Sequence, residues 1–139
     1  MLEIDGITKT FGSLTANDRI SFSVERGTVH ALRGENGAGK STLMNVLYGL
    51  YRPDAGRIVL RGRPVAFHSP RDAIRAGIGM IHQHFMLVPP LSVSENIALG
   101  YDPLTRPWLN LRRVEKDVHG LSTAYGLDVD PRAPVWQLP

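Results

Sequence analysis

The chain has 139 residues, 42% of them hydrophobic and 21% charged, with a formal net charge of +3. That length allows one domain with one sizeable core, and the composition is that of a soluble globular chain rather than a disordered one. Disulfides and cysteine-ligated zinc are excluded because there is no cysteine. The Lys and Arg residues are scattered, which argues against a nucleic-acid stripe and suits a polyphosphate ligand or an anionic membrane surface. The start, Met1-Leu2-Glu3-Ile4-Asp5, lacks the basic-then-apolar pattern of a secretion signal. No run of about 18 apolar residues exists to span a bilayer, so any membrane role is expected to be peripheral.

Residues 2–10 alternate apolar and polar side chains and predict a strand interrupted at Gly6. Residues 20–24 alternate again, with Phe22 and Val24 on the face opposite Ser21 and Ser23. Glu25-Arg26-Gly27 reads as a turn, and residues 28–32 as a more buried strand. These three strands lie too close in sequence for helical crossovers, so their pairing is expected to begin antiparallel. The period then changes. Leu43, Val46, Leu47 and Leu50 recur at i, i+3, i+4 and i+7, the spacing of a helix that ends near Gly49 and Pro53. Pro53-Asp54-Ala55-Gly56 is a turn, since proline presets φ and glycine accepts positive φ. Residues 57–60 and 64–67 flank Arg61-Gly62-Arg63 as a hairpin. Ser69-Pro70, with Asp72 in the first turn, opens a short helix ending near Gly77. Residues 78–81 read as a buried strand. A loop from Phe85 gives way to a short helix opening near Ser92 to Asn96. Leu111, Val114, Val118, Leu121 and Tyr125 mark one face of a last helix, stopped by Gly126. The tail from Asp130 has three prolines and no period.

Gly34-Glu35-Asn36-Gly37-Ala38-Gly39-Lys40-Ser41 matches G-x-x-x-x-G-K-[ST] at every fixed position, after an apolar segment and before an amphipathic helix. The chemistry explains the pattern. Glycines let successive N–H groups curl inward around phosphate oxygens. The following helix points the positive end of its dipole at the same anion. Lys40 brings a mobile charge to the β- and γ-phosphates, the Ser41 hydroxyl suits Mg²⁺, and Thr42 adds a second hydroxyl. A chance glycine-rich turn is the competing reading, and the flanking context weighs against it.

The sequence at 34–42 resembles the ATP-binding-cassette (ABC) family closely, and other segments agree. Thr8-Lys9-Thr10-Phe11-Gly12 is similar to the family's aromatic adenine platform. The stretch from Gly49 to Ile58 resembles its turn and strand after the first helix. Ile81-His82-Gln83 is similar to the Q-loop, and Leu91 to Ile97 to the segment that follows. Residues 79–89 further resemble the branch that imports nucleosides and simple sugars, whose members usually carry two cassettes in one polypeptide.

The resemblance implies an α/β fold: part of a P-loop NTPase core, with an N-terminal antiparallel β subdomain and the start of a helical subdomain. It implies one ABC ATP-binding domain over 1–139, with the β layer and P-loop up to about residue 84 and the Q-loop and helical subdomain beyond. The cofactors would be ATP and Mg²⁺. Phe11 would stack on adenine, with Gly34, Glu35, Asn36, Gly37, Ala38, Gly39, Lys40, Ser41 and Thr42 around the phosphates. Ser41 and Gln83 would serve the metal, and Lys40 and Gln83 catalysis. Gln83 suits its place because an amide donates and accepts at once. Bland alternatives stand beside two of these: Phe11 as a core residue at a strand end, and Gln83 as a solvated polar residue. His82 and His84 alternate on one strand, but no third ligand is evident, so a metal pair is not read. Phe85-Met86-Leu87-Val88 is either a docking groove for a membrane partner or core.

Expected partners are transmembrane permease subunits, a second cassette and, indirectly, an extracytoplasmic substrate-binding protein, but no nucleic acid. The expected place is the cytoplasmic face of the plasma membrane. Hydrolysis by the family needs an acidic pair ending an apolar strand, a Leu-Ser-Gly-Gly-Gln-type motif and a switch histidine, none of which occurs in these 139 residues. The expectation is therefore a truncated piece of an ATPase that binds nucleotide weakly and does not hydrolyse it. Two other readings remain: a non-transport cassette protein, for example ribosome-associated, and a nucleotide-binding regulatory module without catalysis.

Overall fold

The computed structural model describes residues 1–82, 87–100 and 110–138. The chain divides into two compact units, Met1–Ile81 and His82–Pro139.

The first unit is built on a four-stranded antiparallel sheet of order β2-β1-β3-β4, formed by β1 (Leu2–Phe11), β2 (Leu14–Val24), β3 (Ala55–Leu60) and β4 (Arg63–Val65). Strand alternation would send Ile4 and Ile7 to opposite faces, yet both are buried. A register shift between them, with Gly6 at φ 63°, resets the phase and returns Ile7 to the core side. β2 begins earlier than its alternation suggests, because Phe11 pairs with Leu14 across a tight Gly12-Ser13 connection. Helix α1 (Lys40–Leu47) lays Leu43, Val46 and Leu47 against Ile4, Ile7 and Ile58 of the sheet. Phe67 and Ala73 complete this core, the latter from α2 (Pro70–Arg75). That helix starts as its sequence predicts: Ser69 accepts from Asp72 N–H at 3.4 Å, and Pro70 occupies the first turn.

Two expectations fail here. Residues 28–32 and 78–81 read as buried strands, but neither pairs with another strand among the described residues. Val29 is fully exposed and Ile81 nearly so. An apolar run becomes a strand only where a neighbouring strand takes up its N–H and C=O groups, and among the described residues neither segment has one.

In the second unit, α3 (Val93–Ala98) opens with a complete capping box. Ser92 Oγ accepts from Glu95 N–H at 3.2 Å, and Glu95 Oε2 accepts from Ser92 N–H at 2.8 Å. Asn96 gathers the preceding loop, accepting from Val88 N–H and donating to the carbonyls of Val88, Leu91 and Ser92. The tail lies along this loop: Val93 N–H donates to Ala133, Val135 N–H to Leu91, and the Ser94 hydroxyl to Pro131. Ala98 packs on Val114 and Val118 of α4 (Leu111–Tyr125). The predicted face of α4 holds for its first turns and then drifts. Leu121 and Tyr125 are exposed, and Ser122 is buried in their place. The cause is visible after Gly126, the left-handed cap, where the returning chain bonds to Ser122 through Leu127 and Val129.

One electrostatic clamp fastens the turn before β3 to the end of β1. Asp54 accepts from Lys9 Nζ at 2.9 Å, from Thr10 N–H at 2.6 Å and from the Thr10 hydroxyl at 2.7 Å. These bonds, the lysine first, lower its carboxyl to about 2. A carboxyl depressed on folding stabilises the fold above its ordinary range near 3.8, and that contribution is lost as pH falls through about 2. Asp54→Asn is therefore expected to lower the melting temperature at pH 7. The gap should narrow below about pH 4 and close only below about pH 2, as thermal melts across that range would show. Equal melting temperatures at pH 7 would contradict the clamp.

Candidate functional site

The glycine-rich segment leads from the unpaired stretch into α1, and its backbone doubles back. Ala38 N–H donates to the Glu35 carbonyl at 3.2 Å. A Cβ placed on Gly34 would lie 3.3 Å from the Ala38 side chain and 3.8 Å from Cδ of Lys40. Gly37 at φ 85° and Gly39 at φ 81° make the curl in the left-handed region, which side chains disfavour.

Gly39 is the N-cap of α1. No side chain caps the helix there, and no acidic residue occupies its first turn. The first N–H groups of a helix lack intrahelical partners, and the dipole is positive at that end. The donors of this turn are thus left for an anion. Lys40 Nζ reaches across the loop to the carbonyls of Gly34, at 2.6 Å, and Glu35, at 2.7 Å. Ser41 is exposed, and Thr42 is half-buried beside it. A curled set of N–H donors, an ammonium and two hydroxyls is a donor set that fits a magnesium-bound polyphosphate.

Gly39 is also the tightest point of the loop. A Cβ there would fall 2.0 Å from the Ala16 carbonyl oxygen and 2.7 Å from Nδ2 of Asn17, both on β2. Asn17 Nδ2 donates to the Gly39 carbonyl at 3.1 Å. This residue was not among those the sequence singled out. Its signal is a polar side chain on the inward face that Ile20, Phe22 and Val24 continue.

Phe11 ends β1 beside the hairpin turn and is 42% exposed, not a core residue. Its ring meets Tyr51 edge-on, with centroids 5.3 Å apart, and Lys9 Nζ lies 5.4 Å from its centre. The Asp54 clamp on Lys9 and Thr10 holds the chain immediately before it. Tyr51 and Asp54 were likewise not read from sequence as neighbours of this ring.

Gln83, with His84, Phe85 and Met86, lies outside the described residues. Leu87 and Val88 are partly exposed, and Leu87 shares a small cavity of about 170 Å³ with Val93, Asn96, Ile97, Val135 and Leu138. Among the described residues no three of His, Cys, Asp or Glu cluster as metal ligands, and no helix is long and apolar enough to cross a membrane.

The two left-handed glycines separate strain from collision. A Cβ at Gly37 meets nothing within 4 Å, whereas at Gly39 it meets backbone. Gly37→Ala is expected to destabilise the chain by about 1–2 kcal/mol, the cost of a left-handed L-residue. Gly39→Ala should cost clearly more, because Ala16 or the helix start must also move. Urea denaturation of the two variants measures the difference.

The chain is similar to known proteins over nearly all of its length. The family described as ABC transporter matches residues 17–135. The guanosine import ATP-binding protein NupO of Bacillus subtilis is 49% identical over 133 residues, covering 96% of this chain and 26% of its own length. The ribose import ATP-binding protein RbsA 2 of Streptomyces coelicolor is 47% identical over 138 residues, covering 99% of this chain and 27% of its own length. The chain thus spans about a quarter of these relatives. Among solved structures, a nucleotide-free ATP-binding cassette from an ABC transporter superposes with a TM-score of 0.82 at 28% identity. It covers 99% of this chain and 58% of its own. The ADP conformation of an ATP-binding cassette gives 0.77 at 26% identity, with the same coverages. The fold is that of part of a P-loop NTPase core, and the chain belongs to the ABC transporter family.

Proposed function

We propose that this chain is the nucleotide-binding front part of an energy-coupling ATP-binding subunit of an ABC importer. The observation that carries the reading is the curled loop at 34–42, which delivers Lys40 and an uncapped helix start to one place. The backbone of Gly34 to Gly39 would wrap the phosphates, with Lys40 on the outer two and Thr42 beside them. Lys40 need only leave two neutral carbonyls for charged oxygens, and such bonds are the stronger. The Ser41 hydroxyl would hold Mg²⁺, whose charge offsets that of the phosphates. Phe11 would offer its exposed ring to adenine, held in place by Tyr51 and the Asp54 clamp. Gln83 is the residue proposed to sense the metal and the attacking water.

The whole protein's work is inferred from its relatives. Those named for guanosine, nucleoside, ribose, glucose and arabinose import favour nucleosides or simple sugars as cargo. Membrane permease subunits and a second cassette would be the partners, at the cytoplasmic face of the membrane. The chain carries no acidic pair at the end of an apolar strand, so by itself it should bind MgATP with little or no turnover.

Binding of a fluorescent ATP analogue with Mg²⁺ to the purified chain tests the site. Lys40→Met, which keeps the stem and removes the charge, is expected to weaken binding about 10- to 100-fold, as loss of a hydrogen bond to a charged group does. Phe11→Ala should weaken it about tenfold through lost stacking. Unchanged affinity in Lys40→Met would overturn the assignment of the loop.

A further inference from the structure

We propose that Asn17 is a positioning residue for the phosphate-binding loop: its side-chain amide holds the Gly39 carbonyl and so aims the Lys40 backbone N–H into the phosphate site. The proposal rests on the nucleotide-binding reading above and adds a residue that the glycine-rich motif does not contain.

Asn17 lies on β2, 22 residues from the glycine it bonds. It is only 4% exposed, on a strand face otherwise occupied by Ile20, Phe22 and Val24. Its Nδ2 donates to the Gly39 carbonyl at 3.1 Å, and that carbonyl also accepts from Leu43 N–H at 3.0 Å, so both of its lone pairs are engaged. The peptide joining Gly39 to Lys40 is planar and trans, which sets its N–H opposite its carbonyl. Holding the oxygen against Asn17 therefore turns the Lys40 N–H to the side away from β2.

The other end of the amide shows that stability alone does not account for an asparagine here. Asn17 Oδ1 is buried and has no hydrogen-bond partner among the described residues. A buried, unmatched acceptor destabilises a fold, whereas an apolar side chain of the same size would be buried without that defect. What asparagine supplies and leucine does not is the one donor that reaches Gly39. The left-handed Gly39 lets the backbone come close enough for the bond, since any side chain would strike Ala16 first.

The experiment compares the 139-residue chain with Asn17→Leu and Asn17→Asp. Melting temperature and Kd for fluorescent ATP and ADP analogues with Mg²⁺ are measured on each. Asn17→Leu is expected to melt at the wild-type temperature or above it, yet to bind both nucleotides at least about fivefold more weakly, the effect of one lost neutral hydrogen bond at the site. Asn17→Asp, which accepts but does not donate, should bind at least as weakly. In the wild-type chain the Asn17 side-chain amide protons should exchange at least about tenfold more slowly than those of a free asparagine. This last measurement stands even if a variant fails to fold.

Wild-type affinity in either variant, or free-asparagine exchange in the wild type, would overturn the positioning role while leaving the nucleotide site intact. A wild-type chain that binds neither nucleotide would instead remove the functional reading, and this proposal with it.

Discussion

Everything at the candidate site depends on how closely Gly39 approaches β2. At that one residue the chain leaves the loop, begins α1 and touches the sheet. The three demands are compatible only because no Cβ is present and φ is positive. The consequence is mechanical. α1 is seated on the sheet through Leu43, Val46 and Leu47, so the start of the helix, and with it the donors of its first turn, is placed by the hydrophobic core rather than by the loop itself. A loop of mostly exposed residues thereby gains a defined geometry from buried ones.

The same logic places Phe11 by a different force. The ring sits at the end of a strand beside a tight turn, where β pairing alone constrains it little. Asp54 supplies the constraint, with a lysine, an amide and a hydroxyl converging on one carboxylate. The pair is partly exposed, so its worth lies less in the Coulomb term than in the number of bonds made from adjacent residues. Three bonds to Lys9 and Thr10 fix the direction of the chain entering Phe11, and Tyr51 meets the ring from its edge.

The sequence was informative where a local rule has a local cause. The glycine-rich turn before α1, the short helix opening near Ser92, the Ser69-Pro70 helix start and the hairpin around Gly62 all formed where their residues predict. Each depends on neighbours within a few positions. It was less informative where a distant partner decides. β2 hides its first half because its phase is broken near Arg19, at φ 46°, so Asn17 and Ile20 share a face despite odd spacing. Ser122 takes the inward place expected for Leu121 because the chain beyond Gly126 returns to it. Residues 28–32 and 78–81 have strand-like composition but pair with no strand among the described residues, and composition does not report whether a pairing neighbour is present. The role of Asn17 was hidden for the same reason: its partner is a main-chain carbonyl, which carries no side-chain signature.

The partners of Lys40 bear on what the loop can bind. An ammonium left among curled N–H donors would be repelled by the positive end of the helix. Here it is drawn instead to two carbonyls at the far rim, those of Gly34 and Glu35. That contact closes the loop into a ring whose ends are held by a single side chain. An arriving phosphate would replace dipoles by full charges as partners for the ammonium, while the backbone donors, already curled, need not reorganise. The contacts that Lys40 makes with Gly34 and Glu35 are thus weaker in kind than those a polyphosphate would make with the same lysine. The direction of that exchange follows from charge alone.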